Sequence, residues 1–337
     1  FEEYNIFLLD TSIGFIKPKN HFINNVKYFY FTLKLYQKNM FLLARIIRKN
    51  NIYAFYFLPS CNLLGHIKDS ILLFLFGNKF EKIIGQVHNS NFTNLFKKYI
   101  YKLVTRFFYK KISNIIVSSK SLASELDENN LTSKISYFSN TINPKIFCTN
   151  IEVNLKFKLK SSSNSIRILF VGHMMFSKGC FDLLKAAAIL KSSGKSNFKV
   201  CFIGGWIDVR EKNEFNTFIL NNNMEDYVEC LGIIKDPSIL KKEYLKSNIF
   251  ALPTFYPYES QPLAIIDAMN AGNPIISTNH GTISDFIKSD INGYIVDKHN
   301  PKQICDSILK LMDQDIWIKL AKQSRKDFEN KFSLELY

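Results

Sequence analysis

LPTFYPYESQPLAIIDAMNAGNPIISTNHGTISDFIKSDINGYIVD, residues 252–297, decides how the second half of this chain folds. Ile249 to Leu252, Pro274 to Ser277 and Tyr294 to Val296 read as short apolar strands, with a helix over Gln261 to Asn270 between the first two. Strand, helix, strand in succession is the unit of a parallel sheet. Two carboxylates, Glu259 and Asp267, stand eight positions apart, one in the loop before the helix and one about two turns along it. Between them, the backbone N–H groups from Ser260 to Leu263 lie at a helix start, where unpaired donors and the dipole favour an anion. A phosphate cradle flanked by carboxylates, which accept from sugar and ribose hydroxyls, suits a nucleotide-sugar site.

The same run, YESQPLAIIDAMNAGNPIIST, resembles the E-x7-E segment of the family-4 retaining glycosyltransferases. Glu259, Pro262, Leu263, Ala268, Met269, Gly272, Pro274 and Thr278 fall on that family's positions. Asp267 departs from the pattern, standing where the family has glutamate; its reach is shorter by roughly 1.5 Å. The resemblance implies an α/β chain of two Rossmann-like domains whose parallel sheets face a central cleft, the GT-B arrangement. It also implies that Glu259 contacts the donor sugar and Asp267 the ribose.

Outward from that block, VGHMMFSKG (Val171 to Gly179) follows an apolar strand and precedes a helix. Gly172 there admits a ligand to the backbone, and the helix start suits a phosphate. The family commonly shows V-G-R-x-x-x-x-K-G, so Lys178 matches while His173 replaces the arginine, offering one donor without a fixed charge. Gly204 and Gly205 in FIGGW end the next strand, at the family's V-G-x-G position, and either approach a nucleotide or form a turn. Ile234, in LGII, falls where the family's base-binding loop lies. His88 follows a strand directly, the edge where ligands sit in open α/β sheets, and resembles a family histidine that faces the donor sugar. The expected catalytic residues are therefore Glu259 and His88. The expected donor-binding residues are Gly172, His173, Lys178, Gly204, Gly205, Ile234, Ser260, Gln261, Leu263 and Asp267.

Length suggests two domains. Residues 1–150 form the expected acceptor domain, the polar, serine-rich 151–165 a linker, 166–330 the donor domain, and 331–337 the start of a terminal crossover helix. In the second half, strands at Ile166 to Val171, Lys199 to Ile203 and Tyr227 to Leu231 alternate with helices at Cys180 to Ser192, Arg210 to Asn221, Pro237 to Lys246 and Pro301 to Met312. The first half alternates in the same sense, with strands at Ile52 to Leu58, Lys82 to Val87, Asn114 to Val117 and Ile135 to Phe138. The resemblance makes Asn5 to Leu9 the family's second strand, its first strand and glycine-rich loop being absent from this sequence.

Six scattered cysteines without a C-x-x-C pair argue for a reducing compartment and against zinc. No run reaches the ~18 apolar residues of a membrane span. The net charge of +15 is uneven: residues 1–160 carry 23 Lys/Arg against 9 Asp/Glu, a net +14, whereas residues 161–337 carry +1. With the basic, aromatic stretches Lys27 to Lys49 and Asn94 to Lys111, this fits either an anionic membrane surface or ordinary helices with a lysine-rich face. No nucleic-acid motif accompanies the charge.

The resemblance implies retaining transfer of a sugar from a UDP- or GDP-sugar co-substrate, without other cofactor or metal, to a glycan or polyisoprenyl-linked acceptor in cell-surface polysaccharide synthesis. The expected location is the cytoplasm, peripheral on the inner membrane face. The rival readings are a GT-B UDP-sugar epimerase and a non-catalytic nucleotide-sugar or polyanion-binding module.

Overall fold

The computed structural model describes residues 23–60, 63–87, 111–128, 135–161 and 165–333. Asn5 to Leu9, His88 and nearly all of Asn94 to Lys111 lie outside the described residues. The chain divides into two compact units, one of Phe1–Gln86, Leu95–Ile115 and Asn130–Lys134, the other of Val87–Asn94, Ile116–Asn129 and Ile135–Tyr337.

Strands β1 (Ala54–Phe57), β2 (Lys82–Val87), β3 (Asn114–Val117) and β4 (Ile135–Tyr137) form a four-stranded sheet in that order, β1 and β2 pairing parallel. Helices α1 (Ile23–Lys49) and α2 (Leu63–Phe76) belong to the first unit, and α3 (Lys120–Glu128) follows β3. Helix α2 has an inverted surface: it buries His66, Asp69 and Ser70 around Leu73 and exposes Ile67, Ile71, Phe74 and Leu75. Neighbours hold part of its polar side, while the buried Ser70 hydroxyl has no hydrogen-bond partner among the described residues. The Asp69 carboxylate accepts from the Ser60 N–H at 2.7 Å, and the Tyr36 hydroxyl of α1 donates to the Lys68 carbonyl at 2.9 Å.

The second unit carries a six-stranded parallel sheet in the order β10-β9-β8-β5-β6-β7. Its strands are β5 (Ile166–Val171), β6 (Phe198–Ile203), β7 (Val228–Gly232), β8 (Ile249–Leu252), β9 (Ile275–Thr278) and β10 (Gly293–Val296). Strands β8 and β9 are buried at every position, so neither alternates; β8 is wholly apolar, and the buried Ser277 and Thr278 of β9 donate to the Leu252 and Thr254 carbonyls. The connecting helices α5 (Cys180–Ser192), α6 (Val209–Asn221), α7 (Pro237–Lys246), α8 (Leu263–Asn270) and α10 (Pro301–Leu311) match the alternation expected, and short α9 (Ile283–Phe286) follows β9. The chain runs outward from β5 through β6 and β7, then returns to build β8, β9 and β10 on the opposite side. Between β5 and β8 the strand order reverses, and at such a switch point of an open α/β sheet ligands sit in the crevice outside the carboxyl ends of the strands.

Two stretches differ from expectation. Residues 150–161, read as linker, form helix α4 (Asn150–Ser161). A reciprocal capping box starts it: the Thr149 N–H donates to the Glu152 carboxylate at 2.8 Å and the Glu152 N–H to the Thr149 hydroxyl at 3.3 Å. Val153 and Phe157 are buried on its inner face, beside Lys156, whose ammonium donates to the Ala271 carbonyl and the Asn273 side chain, both at 2.7 Å. Near the chain's end, α11 (Gln314–Lys331) is capped by Asp313, and Phe332, expected to start a helix, instead closes this one. Among the described residues no helix is long and apolar enough to cross a membrane.

Candidate functional site

At the switch point the loop after β5 meets the loop after β8. The first runs Gly172 to Gly179 and the second Pro253 to Pro262. They are joined main chain to main chain: the Phe255 N–H donates to the Ser177 carbonyl at 2.8 Å. Gly179 has φ +84°, and a Cβ there would lie 2.3 Å from the Pro253 carbonyl oxygen, so glycine is needed both for the turn and for this approach. Closure of the two loops brings Lys178 to Glu259. The Lys178 ammonium lies 2.6 Å from Oε2 of Glu259, the side chains 16% and 9% exposed, and 4.6 Å over the Tyr256 ring. These residues, 81 positions apart in sequence, make the only close ion pair at the crevice among the described residues.

Glu259 is held from several sides. The hydroxyl of fully buried Thr254 donates to the same Oε2 at 3.2 Å and accepts from the Tyr256 N–H at 3.2 Å. The Thr254 carbonyl in turn accepts from the Thr278 hydroxyl at the end of β9. Below the carboxylate, the turn after β9 presses on its main chain: Gly281 has φ +58°, and a Cβ there would come 2.6 Å from the Glu259 carbonyl oxygen. The Thr282 N–H and hydroxyl both donate to the Ser260 carbonyl, at 3.1 and 2.9 Å. His280 of that turn bonds the Tyr256 carbonyl at 2.6 Å through Nε2, while Nδ1 meets the Lys298 ammonium at 2.9 Å. With Lys298 the donor at Nδ1, the Nε2 nitrogen carries the proton.

The other expected residues fall into three places. Gly172, Gly204 and Gly205 come together where the loops after β5 and β6 adjoin, the Met174 N–H donating to the Gly205 carbonyl at 2.9 Å. A Cβ on Gly204 would lie 1.8 Å from the Gly172 carbonyl oxygen, so its glycine is required by the protein's own backbone. Ile234 is half-buried after β7, and His173 is exposed. At the start of α8, Pro262 is the N-cap and brings no N–H, its carbonyl accepting from Ile265 and Ile266, while Leu263 is exposed. The side chains of Ser260 and Gln261 are engaged with the protein itself. Ser260 pairs with the Ser118 hydroxyl at 3.2 Å, and the Gln261 amide exchanges hydrogen bonds with Ser139 and accepts from the Asn140 N–H at 2.6 Å. What the helix start has to offer an anion is the main-chain N–H groups of its first turn, from Leu263 on, not these side chains.

Asp267 stands apart, inside α8 and beside Tyr244. Burial pushes its carboxyl from 3.8 up to about 7, and the same burial, with the charge of Asp267, pushes the Tyr244 phenol well above its ordinary value. The Tyr244 hydroxyl is fully buried with no hydrogen-bond partner among the described residues. Thr254, Tyr256, Gly281 and Thr282 were not anticipated; the H-G-T turn after β9 and the Pro-Thr pair after β8 carry the signal for three of them. Among the described residues no group of three or more His, Cys, Asp or Glu is placed to hold a metal ion.

A family model described as "Glycosyl transferases group 1" matches residues 152–331, more than half of the 337-residue chain. The chain belongs to that family. An uncharacterized glycosyltransferase of Methanocaldococcus jannaschii is 27% identical over 226 residues, 65% of this chain and 56% of that one. The putative colanic acid biosynthesis glycosyltransferase WcaL of Escherichia coli is 24% identical over 185 residues, 53% of this chain and 44% of that one. The chain spans about half the length of the first curated relatives it matches. Among solved structures, HepE of Anabaena in complex with UDP and glucose has a TM-score of 0.66 at 14% identity, covering 90% of this chain and 78% of that one. This is a likeness of fold, and the α/β fold with two parallel sheets is of the GT-B class.

Proposed function

We propose that the chain transfers a sugar, with retention of anomeric configuration, from a UDP- or GDP-sugar to a glycan or lipid-linked glycan acceptor in cell-surface polysaccharide synthesis. The observation that carries this reading is the meeting of Lys178 and Glu259 at the switch point between β5 and β8, ahead of the α8 helix start. There Lys178 and helix-start N–H groups stabilise the diphosphate, and no metal is required of the site. Glu259 accepts from sugar hydroxyls next to the reacting carbon, and Asp267 from the ribose. The bond between the anomeric carbon and the diphosphate oxygen breaks as the acceptor oxygen attacks from the same face, and the departing phosphate takes the acceptor's proton. UDP in HepE, and the colanic acid role in the name of WcaL, support the donor class and the polysaccharide setting.

An acceptor carried on an anionic membrane at the cytoplasmic face fits the first unit. It combines the basic N-terminal half with the exposed apolar face of α2, at Ile67, Ile71, Phe74 and Leu75. Radiolabelled UDP- and GDP-sugars offered to wild type and Glu259→Gln test the enzyme reading; undiminished turnover in the variant refutes the role of Glu259. NMR of the product's anomeric proton tests retention. Flotation with anionic and neutral vesicles at low and high salt tests the surface, and indifference to lipid charge removes it.

A further inference from the structure

We propose that Lys178 and Glu259 neutralise one another until a diphosphate takes the lysine, so that sugar recognition by Glu259 depends on prior capture of the diphosphate, with Thr254 as the positioning residue that keeps Glu259 in place. This rests on the nucleotide-sugar reading of the site and deepens it. Both members of the pair are claimed by the donor, Lys178 by phosphate and Glu259 by sugar hydroxyls. Without donor, each is claimed by the other at 2.6 Å. A carboxylate that close to the ammonium repels an arriving phosphate, so the pair must part for Lys178 to serve the diphosphate at full strength.

The surroundings decide which partner moves. Glu259 follows a main chain pinned by Gly281 and Thr282, and its Oε2 keeps the Thr254 hydroxyl at 3.2 Å after the lysine leaves. Thr254 cannot drift: it is fully buried, its N–H donates to the Leu252 carbonyl at 2.8 Å and its carbonyl accepts from Thr278. Lys178 has a long unbranched stem and lies over the Tyr256 ring, a contact that accommodates a swing of the ammonium. Lys178 therefore turns to the phosphate, and a sugar hydroxyl takes the place of the ammonium on Oε2 of Glu259.

Titration calorimetry with UDP and GDP, then with the matching nucleotide-sugars, tests this in the full chain. Removing the carboxylate charge in Glu259→Gln should tighten nucleoside-diphosphate binding by about tenfold, the worth of one charged hydrogen bond no longer competing. Lys178→Met should weaken it, and because the carboxylate also repels the phosphate directly, Glu259→Gln should still tighten binding in the Lys178→Met background, but by less than in wild type. The preference of wild type for nucleotide-sugar over bare diphosphate should shrink in Thr254→Val and return in Thr254→Ser. Equal or weaker diphosphate binding in Glu259→Gln overturns the proposal, as does the same gain in the Lys178→Met background or a Thr254→Val preference equal to wild type. Failure of wild type to bind either nucleotide refutes the donor reading itself, and the proposal with it.

Discussion

Replacing Asp267 with Asn isolates the cost of holding one charge inside α8. Burial moves this carboxyl from 3.8 to about 7, and at 1.36 kcal/mol per tenfold this disfavours the ionised form by about 4 kcal/mol once the pH exceeds 7. The sign follows from proton counting. Between about pH 4 and pH 7 the folded chain keeps a proton that the unfolded chain has released, so stability falls as pH rises through that window and levels off above it. Asparagine has nearly the same shape, no charge in either state and hence no such slope. Urea unfolding, followed by the fluorescence of buried Trp317, gives the difference between variant and wild type at pH 5 and pH 8. The stabilisation by Asp267→Asn should grow by about 3 kcal/mol between those two values. A difference that stays constant with pH refutes the reasoning, because it would mean Asp267 is not held neutral by burial. Donor affinity should move the other way: if Asp267 holds the ribose, the more stable variant binds the nucleotide more weakly. A destabilising carboxylate retained in a core helix is then a residue kept for binding.

Gly204→Ala should cost roughly 2–4 kcal/mol in urea unfolding, since its Cβ would sit 1.8 Å from the Gly172 carbonyl oxygen and prise the loops after β5 and β6 apart. A wild-type midpoint would show that the two loops are not in that contact. Gly281→Ala adds a Cβ at φ +58°, a strain of about 1–2 kcal/mol, and pushes on the Glu259 main chain, so turnover should fall by more than the stability loss explains. Turnover that simply tracks the folded fraction would count against that turn as the support of Glu259. Lys156→Met leaves the Ala271 carbonyl and Asn273 side chain without their buried donor, and a loss of roughly 2–4 kcal/mol is expected; an unchanged unfolding midpoint would mean those acceptors find other partners.

Most of the second unit was legible because strands buried on both faces and amphipathic helices alternate without interruption. The parts that were not legible have identifiable causes. Helix α4 runs into the serines that begin at Ser161, and only the T-x-x-E capping box at Thr149 and Glu152 marks its start before the buried pair Val153 and Phe157. Helix α2 defeats pattern reading, since Ile67, Ile71, Phe74 and Leu75 face outward while His66, Asp69 and Ser70 are buried. Ser260 and Gln261 sit on motif positions expected to touch the donor, yet their side chains fasten the loop to Ser118, Ser139 and Asn140, partners more than 100 residues away in sequence. A motif shows that a position matters to the site; whether it meets the ligand or braces the loop depends on contacts that sequence spacing does not contain.

The pairing of Lys178 with Glu259 shows what the topology adds to two separate motifs. In sequence, a lysine after one strand and an acid after another are independent candidates for phosphate and sugar. Strands β6 and β7 lie between them along the chain but not in space, because the sheet places β8 directly beside β5. Their carboxyl ends are neighbours, and the Phe255–Ser177 hydrogen bond with the close approach of Gly179 to Pro253 locks the two loops together. The cation and the anion therefore face one another before any ligand arrives. A site assembled in this way does not hold a positive phosphate cradle beside a negative sugar clamp as two standing features. It holds an ion pair, and in the proposed reading the charge of a diphosphate turns that pair into the two halves of a binding site.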